Sequence, residues 1–306
     1  MDLQFSEDHT TLADALDRMF EPHRAIPVGE AQPWLPGTAL RRDLVENGYL
    51  EVAAQEEIGA LGALILVEGA CRLPVALEVA ANAMVAPGLG LPPEAAVTVL
   101  APRNPEAAIR FLEPGARVIL ERDGAVATVV AEPEDVTPIT SEYAYPFALL
   151  APAARARAVT VTGVTPQDLL LWHRLAIAVE MLGAAQAAFD LTVGYVKDRR
   201  QFGRAIGSFQ ALQHRLAEGA TMLEGLRVLC RRAAWSRDAL DAAHAATWAQ
   251  EIGSRLIYET QQLHGAIGLT MEYPLHYWGY RMRVLQAELG GLSAQSGAVA
   301  DMLWPA

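Results

Sequence analysis

A cluster of cations around an aromatic ring is the first segment whose residue types could bind a charged ligand. It lies at residues 195–210, YVKDRRQFGRAIGSFQ, between two stretches with helical periodicity. Gly203 and Gly207 permit a close approach of the backbone, and a helix that we expect to begin at Ser208 would present free N–H groups to a phosphate. Taken alone, the segment is equally typical of a helix–helix loop with solvated arginines.

A second segment, QLHGAIGLTMEYP at residues 262–274, places two glycines three residues apart after a predicted helix. The backbone amides beside Gly265 and Gly268 could donate hydrogen bonds to a ligand, and Gln262 adds a side-chain amide. A glycine after a helix is more often only a C-cap, so this segment by itself is weak evidence for a binding site.

Composition and charge exclude several classes of protein. The chain has 306 residues, of which 52% are hydrophobic and 20% charged, and a formal net charge of −12; these values exclude wholesale disorder and argue against a nucleic-acid partner. The seven histidines are scattered and the two cysteines cannot form a metal cluster, so we predict no metal site. No secretory leader and no uncharged stretch of about 18 residues is visible, which predicts a cytoplasmic protein without a membrane segment.

The elements that must position the two segments follow from the hydrophobic periodicity, which changes twice along the chain. Short β-branched runs at residues 97–100, 117–120, 125–130 and 157–161 predict a small β region of four to six strands in the middle, where an Asp123-Gly124 pair is typical of a type I′ hairpin. Ser6, followed by two acidic residues, and Thr165, followed by Pro and then by Asp at the third position, are helix N-terminus signals. We therefore predict a mainly α (α+β) fold with an N-terminal helical domain at 1–90, an abbreviated β region at 91–163 and a C-terminal four-helix bundle at 164–306.

In this order and about 60 residues apart, the two segments resemble motifs of the acyl-CoA dehydrogenase family. The family's R-x-x-F-G element, with the glutamine that follows it, maps onto Arg199, Phe202, Gly203 and Gln210. The family's Q-x-x-G-G-x-G element, which leads into E-Y-P, maps onto Gln262, Gly265 and Ala266, with the alanine in place of one glycine. Residues 5–8, 44–50 and 56–62 are similar to N-terminal elements of the family as well.

The resemblance implies an FAD cofactor and an oligomer. In the family, these two elements bind the adenosine and pyrophosphate of an FAD held largely by a neighbouring subunit. Arg199 would neutralise the pyrophosphate, while Gln210 and Gln262 would donate and accept hydrogen bonds. The implied reaction is the α,β-desaturation of an acyl-CoA thioester: a carboxylate removes the α-proton, the flavin accepts the β-hydride, and electron-transfer flavoprotein or a similar carrier receives the electrons.

The middle of the chain departs from the family pattern. Family members hold the flavin ring with aromatic-x-x-[TS]-E-P and Trp-[IV]-[TS] segments, whereas residues 91–163 contain no tryptophan and Glu132-Pro133 follows an alanine. The catalytic carboxylate is missing as well. Alignment places Leu289 at the family's usual base position and His173 at the alternative position on the first long C-terminal helix.

Two residues remain as candidate catalytic groups, Glu288 and His173. Glu288 stands one residue before the family's base position, and one residue along a continuous helix is about 100° of rotation, so it would face elsewhere unless the chain bends. His173 follows Trp172 on an apolar helix and is more typically a packed, hydrogen-bonded histidine.

The absence of the flavin-ring segments and of the catalytic carboxylate favours one hypothesis over its alternatives. The chain resembles the shortened subunits of bacterial heteromeric (α2β2) acyl-CoA dehydrogenases, which are associated with bulky, sterol-derived acyl-CoAs. A full-length partner subunit would then supply the flavin-ring site and the catalytic carboxylate. Two alternatives stay open: a self-sufficient homo-oligomeric dehydrogenase that uses Glu288 or His173, and a non-enzymatic acyl-CoA-binding or scaffold protein.

Overall fold

The N-terminal part is helical, as predicted. The computed structural model describes residues 5–27, 32–55, 58–92, 97–141 and 143–305, so that Glu56 and Glu57 of the family-like N-terminal element lie outside it. Its elements are α1 (Glu7–Phe20), α2 (Thr38–Glu46), α3 (Gly59–Cys71), a π-helical turn (Ala81–Val85) that leads into α4 (Ala86–Gly88), and a parallel pair β1 (Leu35–Pro36) and β2 (Val75–Ala76). The hydroxyl of Ser6 accepts a hydrogen bond from the His9 N–H and caps α1.

The middle region forms two small sheets. The strands are β3 (Thr98–Leu100), β4 (Ile109–Arg110), β5 (Arg117–Arg122), β6 (Ala125–Val130), β7 (Val136–Ile139), β8 (Phe147–Leu150) and β9 (Val159–Thr160), with the short helix α5 (Pro152–Arg157) before β9. One sheet has the order β3-β5-β6-β9 and the other β4-β8-β7. The type I′ hairpin is confirmed, because Asp123 and Gly124 have φ values of 53° and 75° between β5 and β6.

The β region also differs from the prediction in its details. We expected four to six strands, whereas the described residues 97–160 contain seven, of which β4, β7 and β8 were not predicted. β4 has only two residues, and Pro138 interrupts the β-branched pattern of β7. The strand predicted at 157–161 is reduced to β9, because Pro152 begins α5 and that helix continues to Arg157.

The C-terminal part consists of long helices. They are α6 (Pro166–Asp198), α7 (Gln210–Ser236), α8 (Ala239–His264), α9 (Leu275–Ala287) and α10 (Gly291–Leu303), and a hairpin of β10 (Arg200–Gln201) and β11 (Arg204–Ala205) joins α6 to α7. The N-terminus predicted at Thr165 is confirmed: its hydroxyl accepts from the Asp168 N–H while the Asp168 carboxylate accepts from the Thr165 N–H. α10 extends the four predicted helices by a fifth.

One hydrophobic core joins the N-terminal and C-terminal helices. Leu16 of α1, Leu66 of α3 and Leu175 of α6 belong to it, whereas the β region packs around a separate core. α6 lies at the centre and contacts α3, α7, α8 and α9. Among the described residues, only α6 is long and apolar enough to cross a membrane, but 72% of its most apolar window is buried inside the protein. Packing within the core therefore accounts for its hydropathy, and the mainly helical fold with a small β region is confirmed.

Candidate functional site

A break between α9 and α10 determines where Glu288 points. Glu288 has extended backbone angles (φ −73°, ψ 152°), and the next three residues, Leu289, Gly290 and Gly291, have φ values of 53°, 80° and 69°. Positive φ is readily adopted by glycine and only rarely by leucine. Because the chain does not continue as a helix here, the rotation expected for one helical residue does not apply, and the bend that Glu288 required is present.

The bend brings Glu288 to His173, 115 residues earlier in the sequence. His173 Nε2 lies 3.2 Å from Glu288 Oε2, and the imidazole donates, because an ionised carboxylate can only accept hydrogen bonds. The second oxygen, Oε1, lies 3.0 Å from Nε of Arg110 in β4. The two predicted catalytic candidates thus meet, but both oxygens of the carboxylate are already engaged.

Arg110 is the centre of a buried ion cluster. Its Nη1 and Nη2 donate to the two carboxylate oxygens of Glu180 in α6, at 2.8 and 2.7 Å, and Nη2 lies 3.9 Å from the carboxylate of Glu78. The Arg110, Glu180 and Glu78 side chains are at most 9% exposed. A two-pronged guanidinium–carboxylate pair is among the strongest hydrogen-bonded contacts in proteins. We define the Arg110 cluster as Arg110, Glu78, Glu180, Glu288 and His173.

Sequence reasoning missed three members of the Arg110 cluster, and the sequence contains a signal for them. Glu180 stands alone in the apolar run LAIAVEMLGAA, and a charge on the buried face of a core helix needs a partner. Arg110 follows the apolar Ile109, and Glu78 lies within PVALEVAANAMV. Each charge was detectable, but which charges pair depends on contacts between residues that are 32 to 178 positions apart in the sequence.

Burial and charge act in opposite directions on these carboxyls. Burial favours a higher pKa for Glu288, but the Arg110 guanidinium and the His173 hydrogen bond together hold that pKa below its usual value. For Glu78, burial dominates and raises the pKa to about 7, although Arg110 opposes the shift. Burial also acts against the charge of Arg110, but the surrounding carboxylates raise its pKa well above the usual value. Glu288 is therefore a weak base whose charge is already neutralised.

The first cofactor-binding candidates lie on an exposed hairpin at the other end of α6. Phe202 and Gly203 form its two-residue tip, with φ values of 53° and 79°, and the Phe202 side chain is 88% exposed. Arg199, immediately after α6, has an exposed side chain that makes no ion pair within the described ranges. Gln210 is exposed at the start of α7. This helix begins at Gln210 and not at the predicted Ser208, because residues 206–208 form a 3₁₀ turn.

The second set of candidates lies beside the hairpin, at the end of α8. Gln262, Gly265 and Ala266 are exposed, and Gly265 has a φ of 67° with no atom within 4 Å of the position that a Cβ would take. The ring of His264 stacks on Tyr195 of α6 at 4.4 Å, which joins the two segments. His264 Nε2 is buried and has no hydrogen-bond partner among the described residues. Burial lowers the pKa of His264, so its imidazole is neutral.

Two cavities lie away from the Arg110 cluster. The larger, of about 560 Å³, lies between α1, α3 and α6 and is lined by apolar residues such as Leu16 and Ile65. The other, of about 520 Å³, is a groove lined by Arg199 and Tyr273 and thus belongs to the cofactor-binding candidates. Within the described part of the chain, no group of three or more His, Cys, Asp or Glu side chains could hold a metal ion.

The catalytic and cofactor-binding candidates are far apart in the same chain. His173 and Arg199 stand at opposite ends of one unbroken helix, 26 residues apart in the sequence. At about 1.5 Å of rise per residue, this separation is about 39 Å. An extended flavin dinucleotide is much shorter than that. One cofactor held by Arg199 therefore cannot place its ring beside Glu288 of the same chain.

Comparisons with known proteins agree with this fold. The family described as "Acyl-CoA dehydrogenase, C-terminal domain" matches residues 164–302. Acyl-CoA dehydrogenase FadE27 of Mycobacterium tuberculosis is 34% identical over 127 residues, which are 37% of this chain and 34% of the relative. The chain thus spans about a third of the length of the curated relatives that it matches.

Solved structures cover nearly the whole chain. The ChsE4-ChsE5 complex from Mycobacterium tuberculosis matches 100% of this chain and of the chain compared, with a TM-score of 0.75 and 21% identity. The structure described as "Tcur3481-Tcur3483 steroid ACAD G363A variant" covers 97% of this chain and 98% of its own, with a TM-score of 0.74 and 24% identity. Residues 164–302 therefore match the C-terminal domain of the acyl-CoA dehydrogenase family, and the chain as a whole shares the fold of the two solved structures.

Proposed function

We propose that this chain is a subunit of an FAD-dependent acyl-CoA dehydrogenase that desaturates an acyl-CoA thioester between its α and β carbons. In this proposal, the chain contributes contacts to the adenosine and pyrophosphate of FAD, while a full-length partner subunit holds the flavin ring and supplies the catalytic carboxylate. The separation of about 39 Å between Arg199 and His173 carries the proposal, because it supports a cofactor site that these contacts complete on another chain and not beside the candidate base of the same chain.

The exposed residues on the hairpin after α6, and beside it at the end of α8, fit a dinucleotide. Arg199 offers to a pyrophosphate a guanidinium that forms no ion pair with any described residue, and the open space around Gly203 and Gly265 leaves room for a ligand or a partner to approach the backbone. Gln210 and Gln262 are exposed and can donate and accept hydrogen bonds. The exposed ring of Phe202, at the tip of a rigid two-residue turn, is suited to packing against the subunit that holds the cofactor.

The bound flavin would supply the hydride acceptor, and this chain's residues would bind and orient it. Arg199 would fix the pyrophosphate by charge, and the glutamines would select the orientation of the adenosine. Proton removal would come from the partner subunit, because both oxygens of Glu288 are engaged and its pKa is lowered. A base whose two oxygens each already accept from a nitrogen donor, and whose affinity for a proton is reduced, is poorly suited to remove an α-proton.

The substrate and the acceptor belong to the same proposal. Two structures with this fold are described as a ChsE4-ChsE5 complex and as a steroid acyl-CoA dehydrogenase, so we propose a bulky, sterol-derived acyl group and a heterotetramer. Electron-transfer flavoprotein or a similar carrier would receive the electrons. The two cysteines, Cys71 and Cys230, are free, which suits the reducing cytoplasm that we propose as its location.

One observation favours a second candidate function. The hydrogen bond between His173 and Glu288 brings together an acid–base pair that a self-sufficient homo-oligomer would need. Arg110 argues against this candidate, because it neutralises the carboxylate of that pair.

Co-expression tests the proposal. The chain is purified alone and together with a candidate full-length acyl-CoA dehydrogenase subunit, and bound flavin is measured by absorbance before and after an acyl-CoA is added. We expect flavin and bleaching only in the co-purified complex. A chain that is yellow by itself and bleaches with an acyl-CoA would establish the homo-oligomer instead, and a complex without flavin would leave only a scaffold role.

A further inference from the structure

The Arg110 cluster joins parts of the molecule that the sequence keeps far apart. Arg110 belongs to β4 in the abbreviated β region, while its three carboxylate partners come from helical parts: Glu78 before the π-helical turn, Glu180 in α6, and Glu288 at the α9–α10 break. A single guanidinium therefore ties the β region to the N-terminal helices and to the bundle.

The hydrogen-bonding capacity of the cluster is largely used internally. A guanidinium carries five N–H donors, and Nη1, Nη2 and Nε of Arg110 all bind carboxylates. Glu180 uses both oxygens on Arg110, and Glu288 uses one oxygen on Arg110 and the other on His173. Glu78 Oε1 accepts from the Ala81 N–H at 3.0 Å.

The two cavities described above lie away from the candidate base. Neither of them is lined by Arg110, Glu180, Glu288 or His173. Arg110 and Glu180 are 8% and 2% exposed. The pair at the centre of the cluster is thus enclosed by protein, while the side chains of His173 and Glu288 at its edge are 14% and 22% exposed.

We propose that Arg110 closes this chain's own copy of the reaction site from within. Its guanidinium holds Glu180 and Glu288 together. Glu288 and His173 are thus bound within the ion cluster, and neither acts as the catalytic base. This inference rests on the proposed function, in which the partner subunit supplies the carboxylate. It adds the physical reason why this chain does not: an internal cation takes the carboxylate that a substrate would need.

The contact between Arg110 and Glu288 is testable by NMR on the full chain. In ¹⁵N-arginine-labelled wild-type protein, we expect the Nε proton of Arg110 to exchange with water on the order of tenfold more slowly than that of the exposed Arg199. Glu288→Gln removes the charge that Nε faces, and we expect the Arg110 Nε resonance to shift and its exchange to accelerate. Equal exchange of Arg110 and Arg199 in the wild-type protein would overturn the inference, and this measurement needs no variant that must fold.

A second measurement follows the carboxylate itself. In ¹³C-glutamate-labelled protein, with Glu288 assigned through Glu288→Gln, Arg110→Gln should raise the pKa of Glu288 by about 1 to 3 pH units. Arg227→Gln is the matched control, because Arg227 is also largely buried but pairs with Glu68 and Glu224, outside the cluster. We expect Arg110→Lys to restore part of the shift by returning the charge. A Glu288 midpoint that is the same in wild type and Arg110→Gln would refute the inference.

The two proposals fail in distinguishable ways. Turnover and flavin content of the co-expressed complex report on the proposed function, and the two NMR measurements report on the cluster in the chain alone. If the complex lacks flavin, the proposed function fails whatever the resonances show. If the complex desaturates an acyl-CoA but the Nε proton of Arg110 exchanges freely, only the inference about Arg110 fails.

Discussion

Glu78→Gln should make the protein more stable at neutral and alkaline pH. Glu78 is 4% exposed, and its carboxyl faces Arg110 at 3.9 Å together with two other carboxylates of the same cluster. Glutamine has the shape of protonated glutamate and retains the oxygen that accepts from the Ala81 N–H. The variant therefore imitates the protonated state of Glu78 at every pH.

The magnitude follows from the pKa of Glu78, which burial raises from 4.5 to about 7 in the folded protein. Between these two values, the folded chain binds a proton that the unfolded chain has released, so the stability of the wild-type protein falls as the pH rises through this window. At about 1.4 kcal/mol per pH unit, the difference is about 3 kcal/mol above pH 7. Below pH 4.5 the carboxyl is protonated in both states and contributes no such difference.

Guanidinium chloride unfolding at pH 4, 6 and 8 measures this difference. We expect the unfolding free energies of wild type and Glu78→Gln to differ little at pH 4, and the variant to be more stable by about 3 kcal/mol at pH 8. Glu113→Gln is the control, because Glu113 is 53% exposed and pairs with Arg41 at the surface. If the wild-type and Glu78→Gln values stay parallel from pH 4 to pH 8, the assignment of a raised pKa to Glu78 is refuted.

Three further predictions concern the Arg110 cluster and the exposed hairpin after α6. Glu180→Gln should destabilise the chain by about 3–5 kcal/mol in the same unfolding assay, because it removes the two-pronged partner of a buried guanidinium; a loss under about 1 kcal/mol would contradict the buried pair. Arg199→Ala should weaken FAD retention of the co-expressed complex by about 1.5–3 kcal/mol in a flavin fluorescence titration, with Arg72→Ala as a surface control, and full retention would contradict the pyrophosphate contact. Phe202→Ala should change the unfolding free energy of the chain alone by less than about 0.5 kcal/mol but reduce co-purification with the partner. Undiminished co-purification would show that the ring does not contact the partner.

Local signals in the sequence were sufficient for most of the helices. The caps at Ser6 and Thr165 are correct because a cap depends on a side chain and a backbone group only three residues apart. The same is true of the Asp123-Gly124 turn, whose conformation is determined by two adjacent residues. Strands such as β4 and β8 were missed because each is defined by hydrogen bonds to a distant segment, and two to four residues carry little periodicity.

The candidate site shows the same division between local and distant information. Sequence motifs predicted Arg199, Phe202 and Gly203 as cofactor contacts because the three stand close together in the chain, and the structure places them on one exposed hairpin; their role stays a prediction. The role of Glu288 could not be derived in this way. Its direction depends on three consecutive positive φ values, and its charge depends on Arg110 from a strand 178 residues earlier.

The sequence by itself determined the order of helices, β region and helices, and the residues that resemble a cofactor-binding surface. Periodicity, caps and turn residues act over a few positions, so they can be interpreted without a fold. Only the tertiary structure decided that the two candidate bases meet and that a buried arginine neutralises one of them. It also placed His173 about 39 Å from Arg199 along α6. Coulomb and hydrogen-bond energies depend on distances in space, and the sequence does not specify those distances until the core has packed.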